Sequence, residues 1–149
     1  MFDIDNRILN KLTKEQREDL QLLAVQKFAL SLFICSDLTS YKATLSGIQG
    51  IINKYLDEPI EVGNPDEYAL SAAIFSLMGR VIFQNIAFTK YGYLVERKGN
   101  GLVNYNYSLE PNEIIAVANV YGVVTNILSL VGALGIYNRN SNQPVFGIR

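Results

Sequence analysis

The stretch that most constrains this chain begins at Ile114, ends at Tyr137 and contains no charged residue. An apolar stretch of this length can cross a bilayer or form the central helix of a bundle. Folded as a helix, it carries a narrow stripe of small and amide side chains: Asn119, Gly122, Asn126, Ser129 and Ala133. Other helices can approach such a stripe closely, and its two amides can bond across the contact. We therefore interpret the stretch as a central bundle helix and expect its large apolar neighbours to be buried: Val120, Val124, Ile127, Leu128, Val131 and Leu134.

The composition indicates that part of the protein surface is covered by a partner or by lipid. Hydrophobic residues make up 49% of the 149 residues and charged residues only 18%. This is too little charge to cover a lone monomer, so we expect surface to be buried against partners or lipid. The formal net charge is -1, and the Lys and Arg residues are scattered singly. A phosphate-binding surface needs them gathered on one face, so sequence-specific nucleic-acid binding is not expected.

The residue types needed for most catalytic and cofactor sites are missing. The chain has no histidine, which removes the usual base of Ser and Cys hydrolases and the commonest transition-metal ligand. Its one cysteine, Cys35, lies among apolar residues and is expected to be a small buried hydrophobe. The acidic loop at 57–67 lacks the EF-hand order of ligands. The sequence therefore predicts a non-enzymatic protein without cofactor or metal.

The start of the chain gives no sign of export. It lacks a basic region followed by an apolar one, which a secretory signal requires. We therefore expect cytoplasmic synthesis.

Capping signals predict four principal helices after a short N-terminal segment at 1–12. Thr13 and Gln16 match a capping box, so the first helix is expected at 14–35. Ser36 and Asp37 break the apolar pattern and can cap a second helix, which ends before 59. Asn64 can cap a third helix over 65–89, with Pro65 at its first position and acids in its first turn. The fourth is the central helix, with Pro111 at its first position.

Two further segments are predicted to be contact surfaces. Residues 91–109 alternate between apolar and polar about a Gly-Asn-Gly turn, which predicts a β-hairpin. Its tyrosines, Tyr93, Tyr105 and Tyr107 among them, can contact a partner, or the hairpin can lie flat on its own bundle. Residues 138–149 contain asparagines, a proline and a glycine, so the helix is expected to stop before them. We interpret the last residues as an extended arm that docks on a partner through Phe146 and Ile148, with a frayed chain end as the alternative.

The predicted fold is thus a single, mainly α domain spanning 1–149. It has a bundle of four helices, a β-hairpin between helices 3 and 4, and an extended C-terminal arm. This layout resembles the small helical head-to-tail connector or adaptor proteins of tailed bacteriophages. The resemblance lies in the general plan and implies a structural subunit of a homo-oligomeric ring in a virion, in contact with other structural proteins.

Two alternatives stay open. The first is a small membrane protein in which residues 114–137 span the bilayer; Arg80, inside the only plausible partner span, argues against it because a charge in lipid is costly. The second is a cytosolic binding module with a pocket between helices, lined by Phe75, Tyr121 and Tyr137.

Overall fold

Three long helices make up the fold. The computed structural model describes residues 11–101 and 108–142. Helix α1 spans Lys14–Ile52 and continues into a 3-10 turn at Asn53–Tyr55, α2 spans Pro65–Gly99, and α3 spans Glu110–Asn142. Helix α2 packs against both α1 and α3 and runs antiparallel to each of them. It is therefore the central element of an open three-helix layer.

Two of the predicted helix starts are confirmed. The Thr13 side chain accepts a hydrogen bond from the backbone N–H of Gln16, whose side chain in turn accepts one from the N–H of Thr13. At the start of α2, Asn64 accepts from the N–H of Asp66, Pro65 is the first helical residue, and the first turn is acidic. These local signals need no tertiary context, because each satisfies backbone donors that a helix start leaves free.

The prediction of four helices is wrong, because α1 runs without a break through Ser36 and Asp37. Ser36 is buried, and its hydroxyl donates to the carbonyl oxygen of Ala72 on α2 at 2.8 Å. The side chain that we expected to cap a second helix is therefore used between helices, and the backbone of α1 continues to Ile52.

The predicted β-hairpin is also wrong. Residues 91–99, which include its first strand, form the last turns of α2, and the described residues contain no strand. Tyr93 and Arg97 lie one helical turn apart, with the guanidinium carbon 5.9 Å from the ring centroid. Tyr105 and Tyr107 lie outside the described residues. The expected end of the last helix before residue 138 is wrong as well, since α3 continues to Asn142; Phe146 and Ile148 lie outside the described part.

Very few side chains are buried in the described residues. The buried apolar ones are Ala29, Leu32, Ala72, Ile86 and Ala116, and the buried polar ones are Ser36 and Ser46. The large apolar residues that we expected to be buried along the last helix are exposed at Val124, Ile127, Leu128, Val131 and Leu134 and half-buried at Val120. Cys35 is exposed too, contrary to expectation. Helix α3 touches the rest of the chain along one narrow face, so its other faces stay uncovered.

Candidate functional site

An open groove runs along the layer where all three helices meet. Its volume is about 470 Å3, and its lining consists only of small, hydroxyl and amide side chains: Ser36, Ser40, Ala43, Thr44, Ala69, Ala72, Ala73, Ser76, Asn126, Ser129 and Ala133. We call this the small-residue groove. Such side chains let helix backbones approach closely, and their polar atoms can form hydrogen bonds between helices.

Three hydroxyl groups of the groove donate hydrogen bonds to helix backbone. Besides the bond from Ser36 to Ala72, Thr44 donates to the carbonyl of Ser40 at 3.1 Å, and Ser129 donates to the carbonyl of Thr125 at 3.0 Å. These bonds return to a carbonyl in the preceding turn, a usual arrangement for hydroxyls in helices surrounded by apolar material. The groove is thus polar in composition but needs no water to satisfy these hydroxyls.

A hydrogen-bonded chain joins α2 to α3. The hydroxyl of Ser76 donates to Oδ1 of Asn126 at 2.6 Å. The amide nitrogen of Asn126 then donates to the carbonyl of Gly122 at 2.9 Å. Asn126 therefore uses both ends of its side chain, one between helices and one on its own helix.

Arg80 lies one turn after Ser76 on α2, at the end of the groove nearer the start of α1. Its guanidinium carbon is 5.4 Å from the centroid of the Phe33 ring, and its buried Nε has no hydrogen-bond partner among the described residues. The absence of a side chain at Gly122 makes room for it: a Cβ there would stand 3.2 Å from Cδ of Arg80. Within the described part of the chain this cation therefore contacts an aromatic face and has no anion beside it.

The contact between α1 and α2 depends on Gly79. A Cβ added there would lie 3.1 Å from the Phe33 ring and 3.3 Å from the carbonyl oxygen of Ala29. Gly79 is itself buried. An alanine here would therefore require the Phe33 ring or the α1 backbone to shift by a few tenths of an ångström.

Each helix contains a long segment with almost no charge. These apolar segments are residues 20–41 of α1, 68–89 of α2 and 114–138 of α3, and the only charged residues in them are Lys27, Asp37 and Arg80. At about 1.5 Å per residue they are roughly 33 to 38 Å long. By length and composition, all three helices could cross a membrane.

Contacts between the helices place the three apolar segments side by side. At one end Lys42 lies over the Tyr68 ring, with Nζ 4.3 Å from its centroid, and the Asn140 amide donates to the carboxylate of Asp66. Midway, Ser76 meets Asn126. Charged or polar residues thus lie just beyond the segments at the same level on neighbouring helices.

An ion pair closes the opposite end. Arg97 donates to Glu18 at 3.0 Å, and the two side chains are 17% and 20% exposed. This hydrogen bond raises the pKa of the Arg97 guanidinium above its usual value, although burial acts in the other direction. Glu18, Tyr93 and Arg97 line a shallow depression whose volume is about 250 Å3. The pair joins the first turns of α1 to the last turns of α2.

The outward faces of the segments are largely apolar, and no described residue covers them. Large exposed apolar side chains occur on every helix, for example Ile34 on α1, Ile74 on α2 and Leu128 on α3. Tyr121, expected to line an interhelical pocket, is exposed as well. Ser76 and Asn126 thus meet between helices, while many large apolar side chains face outward. A water-soluble domain would instead bury most of its large apolar side chains.

The predicted interaction residues are only partly brought together. Asn126 lies in the groove and contacts α2, whereas Asn119 donates to the carbonyl of Ile115 on its own helix at 2.8 Å. Tyr93 lies beside the Glu18 pair, far along α2 from the groove. Ser76 was not among the predicted interaction residues. However, Ala72, Ser76 and Gly79 repeat at spacings of four and three, which indicates one close-packing face of α2.

The described residues contain no group of three or more His, Cys, Asp or Glu side chains that could hold a metal ion. Comparison of the chain with protein-family models, with curated proteins and with solved structures found no match in any of the three.

Proposed function

We propose that the chain is a small membrane protein with three spans, whose helices associate within the lipid and which acts by association rather than by catalysis. One observation carries the proposal: three apolar segments, each long enough for a hydrocarbon core of about 30 Å, lie level with one another and turn apolar side chains outward. A lipid environment would cover those side chains without any further protein.

The contacts between the helices support the same proposal. In lipid, burying leucine side chains between helices provides no hydrophobic driving force, because the lipid tails are equally apolar. Helix association therefore relies on close packing of small residues and on hydrogen bonds. Gly79 against Ala29 and Ser76 against Asn126 are contacts of these two kinds. A soluble three-helix bundle would instead need a broad apolar core, and the described residues bury only five apolar side chains.

Arg80 is less of an obstacle than its place in the sequence indicates. Charged residues in membrane helices almost always face the interior of the bundle. Arg80 lies between Phe33 and Gly122 rather than on the outer face. Its cost in lipid is therefore lower than that of an arginine on an isolated span.

A second candidate is the non-enzymatic subunit of a homo-oligomeric ring of the head-to-tail connector type. Two exposed charges inside the apolar segment of α1, Lys27 and Asp37, favour it, since water could reach that face of the helix. In this case the apolar faces of α2 and α3 would be covered by neighbouring subunits.

Fractionation of cells expressing the full chain tests the first candidate against the second. We expect the protein in the membrane pellet after washing with alkaline carbonate and its release only by detergent. Recovery as a soluble oligomer in the absence of detergent would exclude the membrane proposal.

A charged substitution sharpens the test. Leu128, in the middle of α3, is 66% exposed. Leu128→Arg should cost roughly 2.5–3.5 kcal/mol if this face meets lipid, and should lower the amount of membrane-inserted protein. Tyr55→Arg is the matched control, because Tyr55 is 85% exposed and lies outside the apolar segments. Equal membrane recovery of the two variants would contradict the proposal.

A further inference from the structure

Asp37 is a carboxylate without a partner in the described part of the chain. It is the only Asp or Glu in the three apolar segments, and its side chain is exposed. No hydrogen bond or ion pair joins it to a described residue. Lys27 has another interaction within the chain, and Arg80 lies about two helical turns away from Asp37. Because a lone charge among apolar side chains is costly, we expect a cation from outside the described residues beside Asp37.

Asp37 stands on the rim of the small-residue groove. On α1 it precedes Ser40 by one turn and Thr44 by two, which puts the three side chains on one stripe. Ser40 and Thr44 line the groove. A segment that brings a cation to Asp37 along this stripe would therefore lie in the groove.

The contacts between helices relate heights on α1 to heights on α3. Ser36 bonds to Ala72 of α2, and Ser76, one turn further along α2, bonds to Asn126 of α3. Since neighbouring helices are antiparallel, Ser36 is level with the residue one turn after Asn126. From that level α3 continues for about 18 Å, at roughly 1.5 Å per residue, before it ends.

Arg149 can reach Asp37, whereas Arg7 cannot. These two are the basic residues of the sequence that lie outside the described part. Residues 143–149 follow α3 and can span about 23 Å at roughly 3.3 Å per residue, enough to return to the level of Asp37. Arg7 precedes the start of α1 by a stretch of the same length, but Asp37 lies about 35 Å beyond that start. The cation that the chain itself can supply to Asp37 is therefore that of Arg149.

We propose that residues 143–149 turn back after α3 and occupy the small-residue groove of their own chain, with Arg149 paired with Asp37. Charge complementarity selects this occupant, since it brings opposite charges together at matching height. Pro144 suits the turn, because proline does not continue a helix. This docking does not depend on the proposed membrane location, because the groove, the two charges and the length of the segment are the same in lipid and in water.

The groove also has room for the apolar side chains of the segment. The residues that line it toward the end of α3 have small side chains, Ser40, Ala69 and Ala133 among them. Phe146 and Ile148 would lie against these residues. Their burial there favours the docked arrangement, because it removes apolar surface from solvent.

Disulfide formation within the full chain tests the proposal. In a Cys35→Ala background, Ser40→Cys is combined with Gly147→Cys, and an oxidant is added to whichever cell fraction holds the protein. We expect a disulfide within one chain, detected as a monomer of higher electrophoretic mobility that a reducing agent reverses. Leu38→Cys with Gly147→Cys is the control, because Leu38 is 64% exposed and lies on another face of α1 at a similar height. This control pair should react roughly tenfold or more slowly.

Charge variants of the chain with Ser40→Cys and Gly147→Cys test the ion pair. Asp37→Arg and Arg149→Asp should each slow the disulfide within the chain roughly threefold or more, because each brings like charges together. The double variant should regain most of the rate, since it restores a pair of opposite charges. Asp57→Arg, in the loop after α1, is the control and should leave the rate unchanged.

Equal rates for the two cysteine pairs, or a double variant as slow as the single ones, would overturn the proposal. A disulfide between two chains would also overturn it, because the groove would then hold the segment of a second copy. If Asp37→Arg is not recovered, Asp37→Asn replaces it and should also slow the reaction. Since the rates are measured in either cell fraction, a soluble chain would contradict the membrane proposal alone and leave the docking to be decided by the disulfides.

Discussion

The hydroxyl of Ser76 on α2 donates a 2.6 Å hydrogen bond to the side-chain oxygen of Asn126 on α3. The same amide donates to the carbonyl of Gly122, so Asn126 is fixed at both ends. Among the described contacts this is the one in which two side chains of the groove bond across a helix interface. We therefore expect replacement of Asn126 to weaken the contact between α2 and α3 more than replacement of any other polar residue in the groove.

Replacing Asn126 by leucine should loosen the contact between α2 and α3. The change removes the acceptor of the Ser76 hydroxyl and puts a branched side chain where an amide fits. We expect the free energy of unfolding to fall by roughly 0.6–2 kcal/mol, measured by titrating the detergent-solubilised protein with a denaturing detergent. Asn119→Leu is the matched control, since the bond that Asn119 makes within the described part is to Ile115 of its own helix. Equal losses in the two variants would mean that the bond to Ser76 contributes nothing.

A methyl group at Gly79 should push α1 and α2 apart. The added Cβ would stand 3.3 Å from the carbonyl oxygen of Ala29, and a backbone atom cannot turn aside as a side chain can. Gly79→Ala should therefore lower the free energy of unfolding by about 1–3 kcal/mol in the same titration. Gly132→Ala meets nothing within 4 Å and should be neutral or stabilise the helix by up to about 1 kcal/mol. The opposite order of the two variants would show that the helices do not approach closely at Gly79.

Removing the charge of Glu18 should free the first turns of α1. Glu18→Gln breaks the ion pair with Arg97, whose two side chains are mostly covered. We expect a loss of roughly 1–3 kcal/mol at low salt that shrinks as salt is added. Hydrogen exchange of the backbone amides near the start of α1 would report it. Lys14→Gln is the comparison, because Lys14 is the exposed second partner of Glu18 and should matter little. A salt-independent loss would point to packing rather than charge.

The distribution of Lys and Arg predicts the orientation in the membrane. Beyond the apolar segments, the described end that holds the start of α1 carries Lys11, Lys14, Arg17, Lys90, Arg97 and Lys98, while the other end carries Lys42, Lys54 and Arg139. The end richer in positive charge should face the cytoplasm. In a Cys35→Ala background, Asn100→Cys should react with a membrane-impermeant maleimide only after permeabilisation, and Asp57→Cys should react in intact cells. The reverse pattern would invert the topology.

The capping signals could be read from the sequence because they act locally. Thr13 with Gln16, and Asn64 with Pro65, satisfy helix starts whatever the chain packs against. The break expected at Ser36 and Asp37 was wrong for the opposite reason: the serine hydroxyl has a partner on a helix that lies 36 residues further along the chain, at Ala72. No local pattern reveals such a partner.

The misread hairpin has a different cause. A spacing of two between tyrosines fits a strand, yet a spacing of four between Tyr93 and Arg97 fits a helix equally well, and the structure has the helix. Of the stripe predicted on α3, Gly122 and Asn126 lie at the contact with α2, whereas Asn119 bonds within its own helix. The predicted burial of Leu128 and Val131 is wrong, because both are exposed. The sequence determines which face of α3 packs, but the area that packs depends on how many helices surround it.

The order of the helices has a consequence for how the chain is made. The main interfaces join α1 to α2 and α2 to α3, so each one links helices that follow each other during synthesis. When α2 emerges from the ribosome its partner is already complete, and the same holds for α3. Gly79 on α2 and Asn126 on α3 can therefore contact their partner helix as soon as their own helix forms. The short separation in sequence keeps the entropic cost of each contact low.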